Sequence, residues 1–146
     1  MAMASKIMIL EHRLYPDISD ALLKGALSSI SQQGVECNVI TVPELYDLPV
    51  VIRYNLRSME LRVNESRYMG YVLLGCMPFD ENAAKYGYKD IICDIERLKL
   101  KFSIAVGTGI IDVRNREAAL RSALDTGRDA AVNCFKLLSI KRSLGL

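Results

Sequence analysis

Two rhythms of apolar and polar positions alternate along this chain. Lys6-Ile7-Met8-Ile9-Leu10 is apolar after its first residue, as in a strand buried on both faces. His12-Arg13-Leu14-Tyr15-Pro16-Asp17 follows as a loop, with Pro16 keeping Tyr15 out of the helical region. Ala21, Leu22, Leu23, Ala26, Leu27 and Ile30 then recur at three and four spacing. That stripe predicts a helix capped by Ser19 or Asp17, reaching about Gln33 and ended by Gly34. The second strand is Glu36 to Val42. It feeds a loop with a proline near each end, Val42-Pro43-Glu44-Leu45-Tyr46-Asp47-Leu48-Pro49. Pro49 suits the first turn of the next helix, where its missing N–H costs nothing. That helix runs to about Leu61, and Asn64-Glu65-Ser66-Arg67 makes a polar turn.

The same alternation continues. Met69 to Leu74 reads as a third strand, and residues 75–82 as a loop at its carboxyl end. A helix from about Ala83 to Leu100 places Ile91, Ile92, Ile95 and Leu98 on one face, although Gly87 weakens its start. Phe102 to Val106 is the fourth strand, and Gly107-Thr108-Gly109 allows a tight turn or a close backbone approach. Asn115 caps a helix to about Leu124. Asp125-Thr126-Gly127-Arg128-Asp129 restarts the chain before a last helix with Ala130, Ala131, Cys134, Leu137 and Leu138 on one side.

Four strands alternating with helices imply a three-layer α/β fold, with a parallel sheet covered on both faces. Right-handed crossovers favour the flavodoxin-like order 2-1-3-4. The two open edges of such a sheet invite pairing with another chain. In this architecture ligands bind at the carboxyl ends of the strands, where the two-proline loop would lie.

Composition narrows the class. The 146 residues suit one domain, 51% of them hydrophobic and 25% charged, with a net charge of +2. Lys136, Lys141 and Arg142 read as a helix C-terminal cap rather than a nucleic-acid footprint. The first residues lack the pattern of a secretory signal, and no apolar run reaches membrane-spanning length, so no membrane partner is expected. Cys37, Cys76, Cys93 and Cys134 fit no metal-ligand spacing and lie in or beside apolar runs, as buried reduced thiols of a cytoplasmic protein would. There is no P-loop, no complete dinucleotide fingerprint and no Gly-x-Ser-x-Gly elbow. Asp47, Asp80, Glu81 and the single histidine, His12, all fall at the binding edge, where paired carboxylates or an imidazole can move protons.

The order of motifs resembles the lumazine synthase family. The likeness runs from Lys6 nearly to the end. It is carried by Ile18-Ser19-Asp20-Ala21-Leu22-Leu23-Lys24-Gly25-Ala26 after the first loop, by the two-proline loop, by Leu74-Gly75 and by Gly109-Ile110-Ile111-Asp112. The resemblance implies condensation of 5-amino-6-ribitylaminopyrimidinedione with dihydroxybutanone phosphate, without cofactor or metal, in a homo-oligomer built from pentamers with sites shared between neighbours. It places Leu14 against the pyrimidine, Leu45, Tyr46 and Asp47 along the ribityl chain, and the backbone of Cys76 and Met77 and the residue Thr108 at the ring. It places Arg121 beside the phosphate position, which itself falls on Ser122. The chain departs from the family where its catalytic histidine should stand, at Ala83 or Ala84. Phe79 and Glu81 replace a glycine and a threonine of the phosphate loop, and Asp80 and Glu81 would repel phosphate. Glu44 and Leu45 fill places of smaller residues. Two alternatives follow: a member that keeps the fold and ring without turnover, and a monomeric flavodoxin-like binding domain.

Overall fold

A computed structural model describes residues 6–63, 67–78 and 88–146. In chain order the elements are β1 (Lys6–Glu11), α1 (Pro16–Gln32), β2 (Glu36–Thr41), α2 (Asp47–Leu61), β3 (Tyr68–Pro78), α3 (Tyr88–Phe102), β4 (Ala105–Val113) and α4 (Arg116–Ser143). The strands form a sheet ordered β2-β1-β3-β4, and every pairing is parallel. The order is the one the alternation of runs predicts.

Side chains leave each strand on alternate faces, and this splits the core in two. On one face Ile7, Ile9, Val72 and Leu74 pack against Ile18, Leu22 and Ala26 of α1 and Ala123, Ala130 and Cys134 of α4. On the other, Met8, Leu10, Tyr71 and Leu73 pack against Leu48 and Ile52 of α2 and Ile91 and Ile95 of α3. The Tyr71 hydroxyl donates to Asn55 Oδ1 (2.6 Å) and so fastens α2 to the sheet. Among the described residues no helix is long and apolar enough to cross a membrane.

Four boundaries differ from the sequence reading. β3 continues through Gly75, Cys76 and Met77 to Pro78, because β4 runs beside it as far as Val113. Phe102 ends α3 instead of opening a strand, and β4 takes in Gly107-Thr108-Gly109, so these residues are no turn. Residues 125–129 do not break the chain; they lie inside one helix of 28 residues. α1 begins at Pro16, with Tyr15 at the cap position and Ser19 buried inside the helix. Asp17 lies in its first turn, where its side chain accepts from Ile18 N (2.9 Å). Asn115 does cap α4, accepting from Ala118 N (3.1 Å). Of the terminal cations Lys141 and Arg142 lie in the last turn of α4 and Lys136 does not; Lys141 donates to the Ser103 carbonyl (2.5 Å) just beyond α3 rather than to the end of its own helix. The polar turn at 64–66 and the first residues of the expected third helix, 83–87, lie outside the described residues.

The glycines explain two of the differences. A Cβ on Gly107 would stand 1.7 Å from the Ala130 carbonyl oxygen, and one on Gly127 would stand 2.0 Å from that of Leu22. Each glycine therefore marks a backbone pressed against another backbone, in the middle of an element. An open helical glycine replaced by alanine gains about 1 kcal/mol. Gly127→Ala should instead lose about 1–3 kcal/mol, the usual cost of overpacking. Urea unfolding gives the sign, and an unchanged or raised midpoint would mean that α4 does not approach α1 this closely.

Candidate functional site

The carboxyl ends of the strands are staggered, and the stagger makes the site. β1 pairs with β3 only as far as Glu11 opposite Leu74, with the His12 N–H reaching the Leu74 carbonyl (3.0 Å). β3 then runs on to Pro78, paired with β4 alone. From Gly75 to Pro78 its other side has no strand partner among the described residues. That side presents backbone N–H and C=O groups at an open edge, and such groups seek partners.

The β2–α2 loop stands over this strip. Val42 N donates to the Glu11 carbonyl (2.8 Å), which carries the loop across the end of β1. Asp47 then closes the turn: its Oδ2 accepts from Glu44 N (3.1 Å), and its own N–H donates to the Glu44 carbonyl (3.0 Å). The carboxylate is thus fixed at the first residue of α2, where negative charge is favoured. Tyr46 is exposed. Leu45 turns inward: it is 6% exposed, and its Cδ1 lies 2.6 Å from where a Gly75 Cβ would stand. A side chain on Gly75 would have to displace the end of Leu45, which occupies that space.

His12 falls two residues after Leu10, on the same face of β1. Its Cβ and Ile110 Cγ1 each lie 3.9 Å from the same point above Gly75. The ring is half-buried, and its Nδ1 is buried with no hydrogen-bond partner. An unpaired buried polar atom costs about 1–3 kcal/mol. The sequence reading puts His12 at this edge, and the period-two pattern of β1, one residue longer than read, gives its face.

A charged cluster sits on the opposite side of the same loops. Glu11 is buried at the end of β1, and its carboxylate accepts from Arg13 Nη1 (2.9 Å) and Thr41 Oγ1 (3.2 Å). Arg13 also pairs with Asp20. The hydrogen bond to Glu11 holds the Arg13 guanidinium above its ordinary pKa. Arg116 pairs with Asp17 (3.1 Å) and lies 5.3 Å from the centre of the Tyr15 ring. That hydrogen bond holds the Asp17 carboxyl below the usual aspartate range. The cluster ties the β1–α1 loop to β1, α1 and the start of α4, leaving Leu14 exposed at its tip.

The sequence-expected site residues divide into two groups. Leu45, Tyr46, Asp47 and Met77 fall together on the α2–α3 side, with Leu14 just past His12. Cys76 belongs to the open strip by its backbone, while its side chain points into the α1–α4 layer. Thr108 lies elsewhere. It pairs with Leu73, back from the carboxyl end, and faces a groove of about 400 Å³ at the outer edge of β4, with Ile92, Glu96 and Lys99 of α3 and Asn133 and Lys136 of α4. Arg121 is exposed on α4, in the layer across the sheet from Leu45. Phe79, Asp80, Glu81, Ala83 and Ala84 lie outside the described residues. Among the described residues no three of His, Cys, Asp and Glu are grouped to hold a metal ion.

A family model described as 6,7-dimethyl-8-ribityllumazine synthase matches residues 4–142. The 6,7-dimethyl-8-ribityllumazine synthase of Paramagnetospirillum magneticum is 32% identical over 97% of this chain and 98% of its own. Those of Afipia carboxidovorans and Bartonella tribocorum are 32% and 31% identical, over 96% and 95% of this chain and 88% and 91% of theirs. Among solved structures, the lactose-specific IIB component domain of the phosphotransferase system from Streptococcus pneumoniae covers 90% of this chain and 95% of its own. Its 16% identity and TM-score of 0.36 are too low to relate the two folds.

The thiols report on this geometry. Burial pushes the Cys76 thiol up, and that of Cys134 up to about 11, while Cys93 is exposed. The reactive species is the thiolate. In the native protein a thiol reagent should therefore label Cys93 and leave Cys76 and Cys134 unlabelled until denaturant is added. Peptide mapping by mass spectrometry resolves the sites, and rapid native labelling of Cys76 would contradict its inward orientation.

Proposed function

This chain belongs to the 6,7-dimethyl-8-ribityllumazine synthase family, and from that premise we propose that it catalyses the family's condensation, joining 5-amino-6-ribitylaminopyrimidinedione to dihydroxybutanone phosphate. The observation that carries the reading is the unpaired strip of β3 from Gly75 to Pro78 beneath the Tyr46-Asp47 loop. A pyrimidinedione is a flat ring edged with alternating donors and acceptors, and the N–H and C=O of Cys76, two residues on from the Leu74 carbonyl that meets β1, offer complementary groups on the open side at a fixed spacing. Leu14 supplies an apolar flank for the ring. Asp47 has one oxygen tied to Glu44 and another free to accept from ribityl hydroxyls, with Tyr46 beside it. Binding both reactants in one orientation is itself a large part of such catalysis, because it removes the entropy of bringing two molecules together.

Thr108 and Arg121 take part only through assembly in this reading. Both lie away from the loop within one chain. We propose a cytoplasmic homo-oligomer, a pentamer or an assembly of pentamers, in which the β4 edge of one subunit faces the loop cleft of the next. Arg121 is then the candidate phosphate contact. No cofactor is needed, since the bonds formed are carbon–nitrogen bonds and the groups lost are water and phosphate.

One observation favours a second reading. Leu45 fills the space above Gly75, and in this reading that is the space an extended polyol would need. A family member so filled would keep its fold and assembly without turnover. The two readings separate in the lumazine-forming reaction, followed by absorbance against a protein-free blank. The expected result is a rate above the blank that saturates in both substrates, from particles of pentameric size or larger by light scattering. Leu45→Ala should lower KM for the pyrimidinedione several-fold. A wild-type rate equal to the blank, restored by Leu45→Ala, would assign the second reading and name its cause. A monomer would exclude the shared site.

A further inference from the structure

We infer that His12 is the proton-transferring group of this cleft. The inference rests on the condensing reading above, and it concerns a side chain at the end of β1. The chain has one histidine. Its backbone is locked into the sheet by the bond to the Leu74 carbonyl (3.0 Å). Its Cβ stands 3.9 Å from the point above Gly75. His12 Cβ therefore stands where the unpaired strip of β3 begins, around the same point as Leu45 Cδ1 of the β2–α2 loop and Ile110 Cγ1. The ring is half-buried, its Nδ1 lies buried without a partner, and among the described residues nothing hydrogen-bonds to it.

These features together set His12 apart from the other polar groups nearby. Glu11, Arg13 and Asp17 are each engaged by named partners, and Asp47 is spent in part on its own turn. Among these described groups His12 alone has its backbone anchored in the sheet near the open strip and its side chain uncommitted. Neutral imidazole both donates and accepts, so it can pass a proton without leaving its place.

The chemistry needs such a group at one step. When the amine nitrogen has added to the carbonyl carbon, the resulting carbinolamine must lose its hydroxyl. The protonated ring donates its proton to that oxygen. The carbon–oxygen bond breaks with its electron pair going to oxygen, and water leaves. The nitrogen lone pair forms the C=N bond of an iminium, which keeps its N–H and takes up the positive charge, and the ring is left neutral, able to accept that N–H proton in turn. General acid–base help of this kind is typically worth about 10²–10⁴-fold.

The test compares wild type, His12→Gln and His12→Ala in the lumazine-forming reaction, each checked for assembly size and circular dichroism. The expected result is a fall in kcat of about 100-fold or more over the blank-corrected wild type, with KM nearly unchanged. Added imidazole should restore part of the His12→Ala rate, which a packing role would not allow. Unchanged kcat in His12→Gln, or a change in KM alone, overturns the inference while leaving the condensing reading intact. A wild-type rate equal to the blank removes both. If His12→Ala fails to assemble, His12→Gln, which keeps a side chain of similar length, decides alone.

Discussion

The backbone of α4 touches the backbone of β4 on one side and of α1 on the other. Everything at the carboxyl edge depends on that contact. Gly107 admits the Ala130 carbonyl, Gly127 admits that of Leu22, and Gly25 admits that of Leu124. No side chain intervenes at these points, so the helix cannot be moved outward or rotated without losing several contacts together. β4 is thereby held under α4 and extends beside β3 as far as Val113. Were β4 to end near Val106, as a glycine-rich turn would have it, nothing would keep residues 75–78 in the sheet.

The second consequence is geometric. A strand paired on both sides has no backbone to offer, and a strand paired on neither has no fixed shape. β3 passes from the first condition to a half-paired one at Gly75, because β1 ends sooner than β4 does. The strip is rigid on one side and unspent on the other. The Glu11–Arg13–Thr41 cluster adds to this by fastening the end of β1. Buried and hydrogen-bonded from two sides, the Glu11 carboxylate escapes the cost of an unpaired buried charge, and with it β1 stops at a defined residue.

Much of this was legible in the residues. The apolar runs gave four strands in their order, and the period of Ile18, Leu22, Ala26 and Ile30 gave the buried face of α1. The two-proline loop fell where the sheet needs it. What was not legible has one physical source. Glycine permits both a turn and a close backbone approach, and a local pattern cannot tell them apart. At Gly75, Gly107 and Gly127 the partner that decides is a leucine side chain or a helix carbonyl from a remote part of the chain. The orientation of Leu45 was hidden for the same reason: its destination is the missing Cβ of a residue on another strand. Thr108 and Arg121 were placed by resemblance, and no local rule could say that one chain holds them apart from the loop.

Leu45 and His12 press on the same glycine in opposite senses. Leu45 buries apolar surface, fills the space above Gly75 and gains stability by doing so. His12 buries a nitrogen with no partner and loses some of it. A site shaped for packing alone would set an apolar side chain in both places, since that would fill the volume without a desolvated polar atom. A site shaped for an extended polyol alone would keep neither the leucine nor its contact. The pair fits a cleft narrowed on the side of the two-proline loop and still polar at the end of β1. Under the condensing reading proposed above, such a cleft would discriminate by the length of the chain the pyrimidinedione carries while keeping one imidazole for proton transfer.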